Sequence, residues 1–419
     1  MCCQGRVTTL NRRRLLLLLS IIGPGIVVSS ADNDAGGIAT YAVAGAHYGF
    51  ELLWVVLFAS LFLAIVQEMC ARMGVVTGKG LSDLIRENFG VRWTTFAMIT
   101  LLAANVAVTI AEFAGIAAAL EIFGVSKYIS VPLAALALWL LLIKGSYRYV
   151  EKVFLVLALS LLAYLVTGLL VGPDWGAVAR GTLLPTIRFE PNFLLLSVAL
   201  IGTTITPWMQ FVLQSSVVDK GLTVKDYNYT RLDVYAGAFY TFIVCYFIVI
   251  TAGATLHPAG LAIQDAQEAA QALAPLAGPY AELLFGVGLL GVSFMAGSIL
   301  PLSTSYAVCE AFGLERGVSH SFSEAPAFYS IYTALIAVGA GSILIPDLPL
   351  VKVMLFSQDV NGILIPVVLV FVLLLVNNRR IMGRHVNGPW YNLAAWASTA
   401  IIISFTALLL AASLLGLGG

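Results

Sequence analysis

Two carboxylates lie in an apolar stretch near the N-terminus, in the segment Gly23-Pro-Gly-Ile-Val-Val-Ser-Ser-Ala-Asp32-Asn-Asp34-Ala-Gly36-Gly37. A charged side chain at membrane depth costs roughly 3 kcal/mol or more, so it usually marks the path of an ion or substrate. The proline and the glycines interrupt a helix, and broken backbone is tolerated at that depth only where it lines a cavity or is buried in protein. The segment therefore predicts a cation site on an unwound helix.

A second apolar stretch is interrupted at Gly202-Thr203-Thr204-Ile205-Thr206-Pro207-Trp208. Proline removes a backbone donor, and nearby hydroxyls can satisfy the groups that it frees. If the two breaks meet near the bilayer centre, unwound carbonyls and half-helix C-terminal ends face a cation. The predicted ligands are the carboxylate of Asp34 and the backbone carbonyls of Ala31, Gly202, Thr203 and the next two residues, since carboxylates and carbonyls suit a hard cation.

The composition places the whole chain in a membrane. Of its 419 residues 60% are hydrophobic and 11% are charged, and the mean hydropathy is +0.95. Apolar stretches near the roughly 20 residues needed to cross a bilayer recur from end to end. We predict eleven spans and no separate soluble domain, with the spans at 15–43, 51–73, 94–123, 129–143, 151–172, 192–219, 233–255, 279–305, 327–345, 350–376 and 390–416.

The basic residues predict the orientation of these spans. With the N-terminus in the cytoplasm, 18 of the 22 Lys and Arg residues fall on the cytoplasmic side and 4 on the other. This bias follows the positive-inside rule and indicates a multi-pass protein of the cell (inner or plasma) membrane with its C-terminus outside. The arginines and leucines before Ala31 resemble a signal peptide, but we expect no cleavage there, because the cut would remove half of the first broken span.

The positions of the two breaks predict the fold. They fall in spans one and six, the spacing that an inverted repeat of five plus five helices produces. We therefore predict an all-α membrane protein that forms a single transporter domain over 1–419, with discontinuous helices 1 and 6. The first repeat covers about 15–172, the second about 192–376, and an extra helix about 390–416.

Several other function classes lack a sequence signal. The five cysteines and four histidines are scattered without metal-ligand spacing. We find no phosphate-binding glycine loop and no nucleophile elbow, so we expect neither an enzyme nor a resident cofactor. The basic residues read as topology signals, and we expect no nucleic-acid partner. The expected partners are a divalent metal ion and the lipid bilayer, and the oligomeric state is left open.

Several motifs resemble the Nramp family of divalent-metal transporters, which have the LeuT-like inverted-repeat fold. The pair Gly23-Pro24-Gly25 and Asp34-Ala35-Gly36-Gly37 is similar to the family's Gly-Pro-Gly and Asp-Pro-Gly-Asn. The run from Gln67 to Leu81 (QEMCARMGVVTGKGL) resembles the family signature, and GSYRYVE at 145–151 resembles its Gly-x-Arg-x-x-Glu. Ser357-Gln358 fits the Ser-Gln of span ten, so we expect Gln358 to contact the hydrated ion.

The chain departs from this pattern where family members hold manganese and iron. Asp34 keeps its expected role, but Gly37 replaces the metal-binding Asn. Thr206-Pro207-Trp208 stands where those members have Met-Pro-His, and the second histidine of that motif falls at Leu213. The Asp-x-x-Glu pair associated with proton movement reads Thr109-Ile-Ala-Glu112, so one of its acids is missing.

These departures favour magnesium. A thioether ligand selects soft ions, whereas the hydroxyl of Thr206 does not. Replacing the Asn and Met side chains is also expected to enlarge the site around Asp34 and Gly37, and Mg²⁺ usually keeps several waters. The pattern resembles the branch of Nramp-related magnesium transporters. Because the relay of titratable groups is incomplete, the resemblance implies Mg²⁺ import, with Mn²⁺ also carried, without obligatory proton coupling.

Further polar residues are candidates for the ion's path. Asp32, Asp359, Asn361 and Glu112 could line a vestibule or the path itself, with Glu112 also readable as a hydrogen-bonded structural acid. Two alternatives remain open: a proton-coupled Mn²⁺/Fe²⁺ symporter of the ordinary Nramp type, and an organic-substrate symporter of the same fold. The second is disfavoured because Asp32 and Asp34 would repel a substrate carboxylate.

Overall fold

The computed structural model describes residues 28–29, 31–143, 161–317 and 321–414. These residues form helices joined by short connections, with no strand among them. We number the principal helices α1 Ala35–Tyr48, α2 Leu53–Thr77, α3 Leu81–Ile122, α4 Lys127–Ile143, α5 Leu162–Leu170, α6 Trp175–Leu183, α7 Pro191–Thr204, α8 Pro207–Asp219, α9 Tyr227–Thr255, α10 Ala281–Phe312, α11 Pro326–Ile343, α12 Leu350–Val376 and α13 Pro389–Leu414. Short helical turns connect some of them, notably Ala266–Ala270, Ala274–Ala277 and Arg379–Met382.

The all-helical membrane architecture predicted from the sequence is confirmed. In the described part of the chain, eight helical segments are long and apolar enough to cross a bilayer, the broken pair α7–α8 counted as one of them. The fourth predicted span is the shorter α4, and the first and fifth fall partly on residues outside the described ranges. The count of eleven spans therefore stays a prediction.

Both predicted breaks occur, and each has a local cause. Pro207 begins α8 and has no N–H to donate, so the chain is extended at Thr206 (φ −74°, ψ 146°) after α7 ends at Thr204. In the first span the helix stops before Asp34, which is extended (φ −75°, ψ 175°) and caps α1. The segment Gly23-Pro24-Gly25, expected to contribute to this break, lies outside the described residues, as does 145–151.

Gly36 and Gly37 do not provide the unwound backbone expected of the first break. Both lie inside α1, in its first turn. The break falls instead on Asn33 and Asp34, because the Asp34 side chain accepts a hydrogen bond from the backbone and can start a helix. The two glycines instead allow side chains of other helices to approach α1 closely.

Helices from the first half of the chain pack on helices from the second half. The helix α1 packs on α9, and α8 packs on α2, so the first span of each half meets the second span of the other. The third spans of the two halves, α3 and α10, pack on each other. This reciprocal pattern is what an inverted repeat produces. The last helix, α13, lies at the periphery against α7 and α12.

Candidate metal site

Asp34 lies at the N-terminus of α1 and is 1% exposed. Its Oδ1 accepts a hydrogen bond from the backbone N–H of Gly37 at 2.5 Å. This bond satisfies one of the free N–H groups of the first helical turn and fixes the carboxylate against the break. The bond from Gly37 to Oδ1 thus fixes the orientation of the Asp34 side chain. We take its carboxylate as the centre of the candidate metal site.

Gln358 of α12 reaches the same carboxylate from the opposite wall. Its Nε2 lies 3.4 Å from both Oδ1 and Oδ2 of Asp34. The other end of the amide, Oε1, accepts a hydrogen bond from Asn361 Nδ2 at 2.9 Å. A Cβ on Gly36 would lie 2.0 Å from Gln358 Nε2. Glycine at position 36 is therefore what lets the glutamine approach Asp34.

Thr203 of α7 fills the space beside Gly37. A Cβ on Gly37 would lie 2.8 Å from Thr203 Oγ1 and 3.0 Å from Asp34 Oδ1. The expectation that the missing Asn side chain leaves free room is therefore wrong at this position, because α7 packs into it. The hydroxyl of Thr203 is buried and has no hydrogen-bond partner in the described part of the chain, so its oxygen is free to face an ion or a bound water.

Thr206 supplies a second free hydroxyl at the break between α7 and α8. It is fully buried, and its Oγ1 has no partner among the described residues. Pro207 cannot donate to the carbonyl of Thr203, which therefore lacks its helical donor. An unpartnered buried polar atom is costly unless a ligand or water completes it, so these oxygens are candidate ligands.

Ala31 and Gly202 occupy different positions with respect to the breaks. Ala31 is buried just before the first break. Gly202 is still helical, and a Cβ there would lie 2.3 Å from the backbone of Gln358 and of Gly362 in α12. Gly202 is thus the point at which α7 and α12 cross closely, which positions Gln358.

Two further acids lie close to the Asp34 segment. Asp32 is 2% exposed, and neither of its carboxylate oxygens has a hydrogen-bond partner in the described part of the chain. Glu112 of α3 accepts a hydrogen bond from the N–H of Ala35 at 3.4 Å through Oε2, while its Oε1 has no partner among those residues. The first turn of α1 therefore binds an acid from α3, which favours the structural role considered for Glu112.

The sequence did not reveal three hydrogen bonds that hold the broken helix in place. Tyr41 OH and Thr204 Oγ1 lie 2.7 Å apart and join α1 to α7. The thiol of Cys245 in α9 donates to Asn33 Oδ1 at 3.5 Å, and Asn33 Nδ2 donates to Ser29 O at 3.1 Å. Asn33 lies between two residues already singled out, so its position was a usable signal. A lone Tyr or Cys in an apolar helix gives none.

Asp359 faces a different space from Asp34. It lines a cavity of about 640 Å³ whose other polar residues include His47, Asn192, Gln264 and Lys352. We call this cavity the vestibule. Asn361, in contrast, bonds to Gln358 and belongs to the Asp34 side. The four residues expected along the path therefore divide between two places.

A buried ion pair lies at the far end of α2. Arg72 Nε is 3.2 Å from Glu68 Oε1, and the guanidinium also donates to His385 O at 3.0 Å and to Asn387 Oδ1. Glu68 in turn accepts hydrogen bonds from Tyr227 OH and from Tyr391 OH, the latter at 2.8 Å. We call these residues the α2 cluster. It links α2 to the start of α9, the loop before α13 and the start of α13.

The donor set around Asp34 suits a transported ion. No group of three or more His, Cys, Asp or Glu side chains in the described ranges could hold a metal. The candidate ligands are one carboxylate, two hydroxyls and backbone carbonyls at two helix breaks, as in the sites of transporters with discontinuous helices. Gln358 turns its amide nitrogen to Asp34 and its oxygen to Asn361, so in this structure it positions the carboxylate and offers no ligand oxygen.

Comparison with known proteins identifies the family. Residues 25–412 match the family described as Nramp, natural resistance-associated macrophage protein-like. The chain belongs to the Nramp family. A divalent metal cation transporter MntH of Klebsiella pneumoniae (strain 342) is 28% identical over 410 residues, with 95% of each chain covered.

Solved structures agree with this fold. A manganese transporter of Eremococcus coleocola, in complex with an aromatic bis-isothiourea substituted compound, has a TM-score of 0.76 at 21% identity, covering 98% of this chain and 88% of the other. MhsT in complex with L-phenylalanine has a TM-score of 0.61 at 14% identity, with 92% and 97% covered. The LeuT-like fold predicted for this Nramp protein is confirmed.

The family fixes the broad activity. This Nramp protein is a membrane transporter of divalent metal cations, and it is not an enzyme. The metal is its substrate and not a resident cofactor.

Proposed function

We propose that this Nramp protein imports Mg²⁺, and also Mn²⁺, by alternating access and without obligatory proton coupling. The observation that carries the proposal is the oxygen chemistry around Asp34. Thr203 and Thr206 have free hydroxyl oxygens, whereas Gln358 turns its amide nitrogen to the carboxylate of Asp34 and supplies no oxygen there. Oxygen ligands suit hard cations, whereas a thioether in place of Thr206 would favour softer ones.

The free oxygens also support binding of an ion that keeps part of its water. Mg²⁺ is usually held through one or two carboxylates and retains several waters. The hydroxyls of Thr203 and Thr206 and both carboxylate oxygens of Asp32 have no protein partner among the described residues. Water-mediated hydrogen bonds to such groups are nearly as favourable as direct ones. Asp34 is the inner ligand in this proposal, and the other groups bind the water shell.

The absence of obligatory proton coupling follows from the side chains at the positions implied by the resemblance. Trp208 and Leu213 in α8 cannot titrate, and Thr109 replaces an acid in α3. A divalent ion moving inward gains about 4.6 kcal/mol per 100 mV of membrane potential, twice the single-charge value, which is enough to concentrate it.

Uptake into proteoliposomes tests both parts of the proposal. Mg²⁺ and Mn²⁺ influx would be recorded with a pH-sensitive dye inside the vesicles and an imposed potential. We expect Mg²⁺ to enter, with a rate that follows the potential and with no acidification. Acidification that tracks metal influx would overturn the uncoupled mechanism, and robust Mn²⁺ flux without Mg²⁺ flux would overturn the selectivity.

A proton-coupled manganese or iron symporter is the second candidate. It is favoured by the three acids Asp32, Asp34 and Glu112 near the first break. The relatives named above are divalent metal cation and manganese transporters. The dye signal separates this candidate from the first one.

An organic-substrate symporter is less consistent with the site. MhsT, crystallised with L-phenylalanine, shares the fold, so the fold admits such a substrate. In this chain, however, Asp32 and Asp34 lie at or directly beside the break, and their charges oppose a carboxylate substrate.

We propose the inner or plasma membrane as the location, with the N-terminus in the cytoplasm. The 18-to-4 bias of Lys and Arg residues supports this orientation. In it, the vestibule opens to the outside and the α2 cluster lies at the cytoplasmic side. Eleven spans, arranged as the two repeats with one extra helix, are part of the same proposal.

A further inference from the structure

The vestibule extends along α12 toward the level of the Asp34 site. Its lining runs along α12 from Lys352 to Asp359, a distance of about 10.5 Å at the rise of an α-helix. Asp359 lies inside α12, and its neighbour Gln358 contacts Asp34. The deep end of the vestibule is therefore separated from the candidate metal site by the α12 backbone at this point.

Asp359 is an unusual residue for this position. It is 7% exposed, and its Oδ1 has no hydrogen-bond partner in the described part of the chain. Among the described residues that line the vestibule it provides the only carboxylate, and most of its neighbours there are apolar, such as Leu195 and Leu355. A buried carboxylate without a partner is costly unless a cation or water satisfies it.

We propose that the vestibule holds a second divalent-cation site centred on Asp359, weaker than the Asp34 site, which captures the hydrated ion before it passes inward. This site rests on the proposed function of the chain as a divalent-cation importer. The cavity of about 640 Å³ has space for roughly 20 waters at the volume each takes in the liquid. An ion with its water shell fits there, bound to Asp359 directly or through water, with Gln264 and Asn192 as further oxygen donors.

Lys352 opposes this site electrostatically. It lies seven residues before Asp359, two turns earlier on the same face of α12, and it also lines the vestibule. No ion pair joins the two side chains in the described structure, so Lys352 does not neutralise the carboxylate directly. Removing the ammonium should strengthen cation capture, and removing the carboxylate should weaken it.

Direct binding tests the proposal on the full-length protein in nanodiscs, with Mn²⁺ as the probe followed by the EPR signal of the free ion. We expect two classes of Mn²⁺ site in the wild type. Asp359→Asn should raise the Kd of the weaker class by about tenfold or abolish it, and Asp359→Glu should keep it. Glu190→Gln is the matched control: it removes an exposed carboxylate that does not line the vestibule, and it should keep both classes.

Transport kinetics provide a second readout. Asp359→Asn should raise the KM for Mn²⁺ and leave kcat within about twofold, and Lys352→Gln should lower KM, since the two changes have opposite charge effects on a bound cation. If Asp359→Asn does not fold, the proposal is tested by the KM of Lys352→Gln and by the Mn²⁺ binding of Asp359→Glu. Unchanged binding and KM in Asp359→Asn, or an unchanged KM in Lys352→Gln, would overturn the proposal.

The Asp34→Asn variant separates this proposal from the proposed function. It should lose the tighter class of Mn²⁺ site and all transport but keep the weaker class. If the wild type transports no metal into proteoliposomes, the proposed function fails. The vestibule site is judged separately, by whether Asp359→Asn removes the weaker class of Mn²⁺ site.

Discussion

Gln358 Nε2 lies 3.4 Å from both carboxylate oxygens of Asp34, in the space that a side chain on Gly36 would take. The relationship explains why a residue without a side chain lies in the first turn of α1. It also means that the position of the amide can be changed without touching either polar residue.

Gly36→Ala should therefore impair transport while the protein still folds. Its Cβ would lie 2.0 Å from Gln358 Nε2, so the amide must move away from Asp34. We expect the KM for Mg²⁺ to rise by about tenfold, the effect of losing roughly 1.4 kcal/mol of binding. Uptake by proteoliposomes measures this change. The matched control is Gly341→Ala in α11, where no atom lies within 4 Å of the added carbon; a similar defect in this control would show that the effect is not local.

Asp34→Ala and Asp34→Asn should abolish metal uptake. The carboxylate is the only charged group that both borders the first break and contacts Gln358 in the described structure. Asn keeps the shape and can still accept from Gly37 N–H, so a loss in both variants isolates the charge. Uptake and Mn²⁺ binding would be measured on protein that elutes as the wild type does, with Glu190→Gln as the charge control. Flux retained in either variant would remove Asp34 from the site.

Thr206→Met should shift the ion preference toward Mn²⁺ and Cd²⁺. The substitution replaces a free hydroxyl at the break with a thioether, which favours soft ions. Competition of Cd²⁺ against Mg²⁺ uptake measures the shift, and an unchanged order of preference would place selectivity elsewhere. Adding Gly37→Asn should not help, because Thr203 Oγ1 would lie 2.8 Å from the new Cβ.

Cys245→Ser is the matched control for the sulfur argument. The Cys245 thiol donates to Asn33, and in the described part of the chain it forms no hydrogen bond with Asp34. A serine hydroxyl can donate to the same oxygen, so the preference between Mg²⁺ and Cd²⁺ should not change. If removal of this thiol alone weakens Cd²⁺ competition, the site contains a sulfur ligand and the magnesium proposal loses its basis.

Arg72→Ala should destabilise the protein far more than Arg188→Ala. Arg72 is 8% exposed and pairs with Glu68, and breaking such a buried pair costs roughly 3–5 kcal/mol because the partner charge is left without compensation. Arg188 pairs with Glu51 at 2.5 Å, but both are substantially exposed, and exposed pairs contribute about 0–1 kcal/mol. Thermal unfolding in detergent compares the two variants, and equal shifts would mean that the α2 cluster is not a stabilising element.

The sequence predicted the parts of the site that depend on local chemistry. Pro207 cannot donate a backbone hydrogen bond, so a break before it could be inferred, and an acid at membrane depth singled out Asp34. Contacts between helices that are distant in the chain could not be predicted from the sequence. The closeness of Thr203 to Gly37, of Gln358 to Gly36 and of Tyr41 to Thr204 depends on how α1, α7 and α12 cross.

The role of small residues was misjudged for the same reason. A glycine after a break predicts an unwound backbone as readily as a close approach between helices, and only the packing distinguishes the two. Asp359 likewise reads as a path residue in the sequence, but its separation from Asp34 by α12 is visible only in three dimensions.

The hydrogen bond from Tyr391 to Glu68 connects the last helix, α13, to α2. Although α13 stands apart from the paired halves, Tyr391 in its first turn donates a hydrogen bond to Glu68, and the segment before α13 supplies two acceptors for Arg72. A rearrangement that moves α2 relative to α13 has to break these hydrogen bonds, so we expect substitutions in the first turn of α13 to alter the rate of transport.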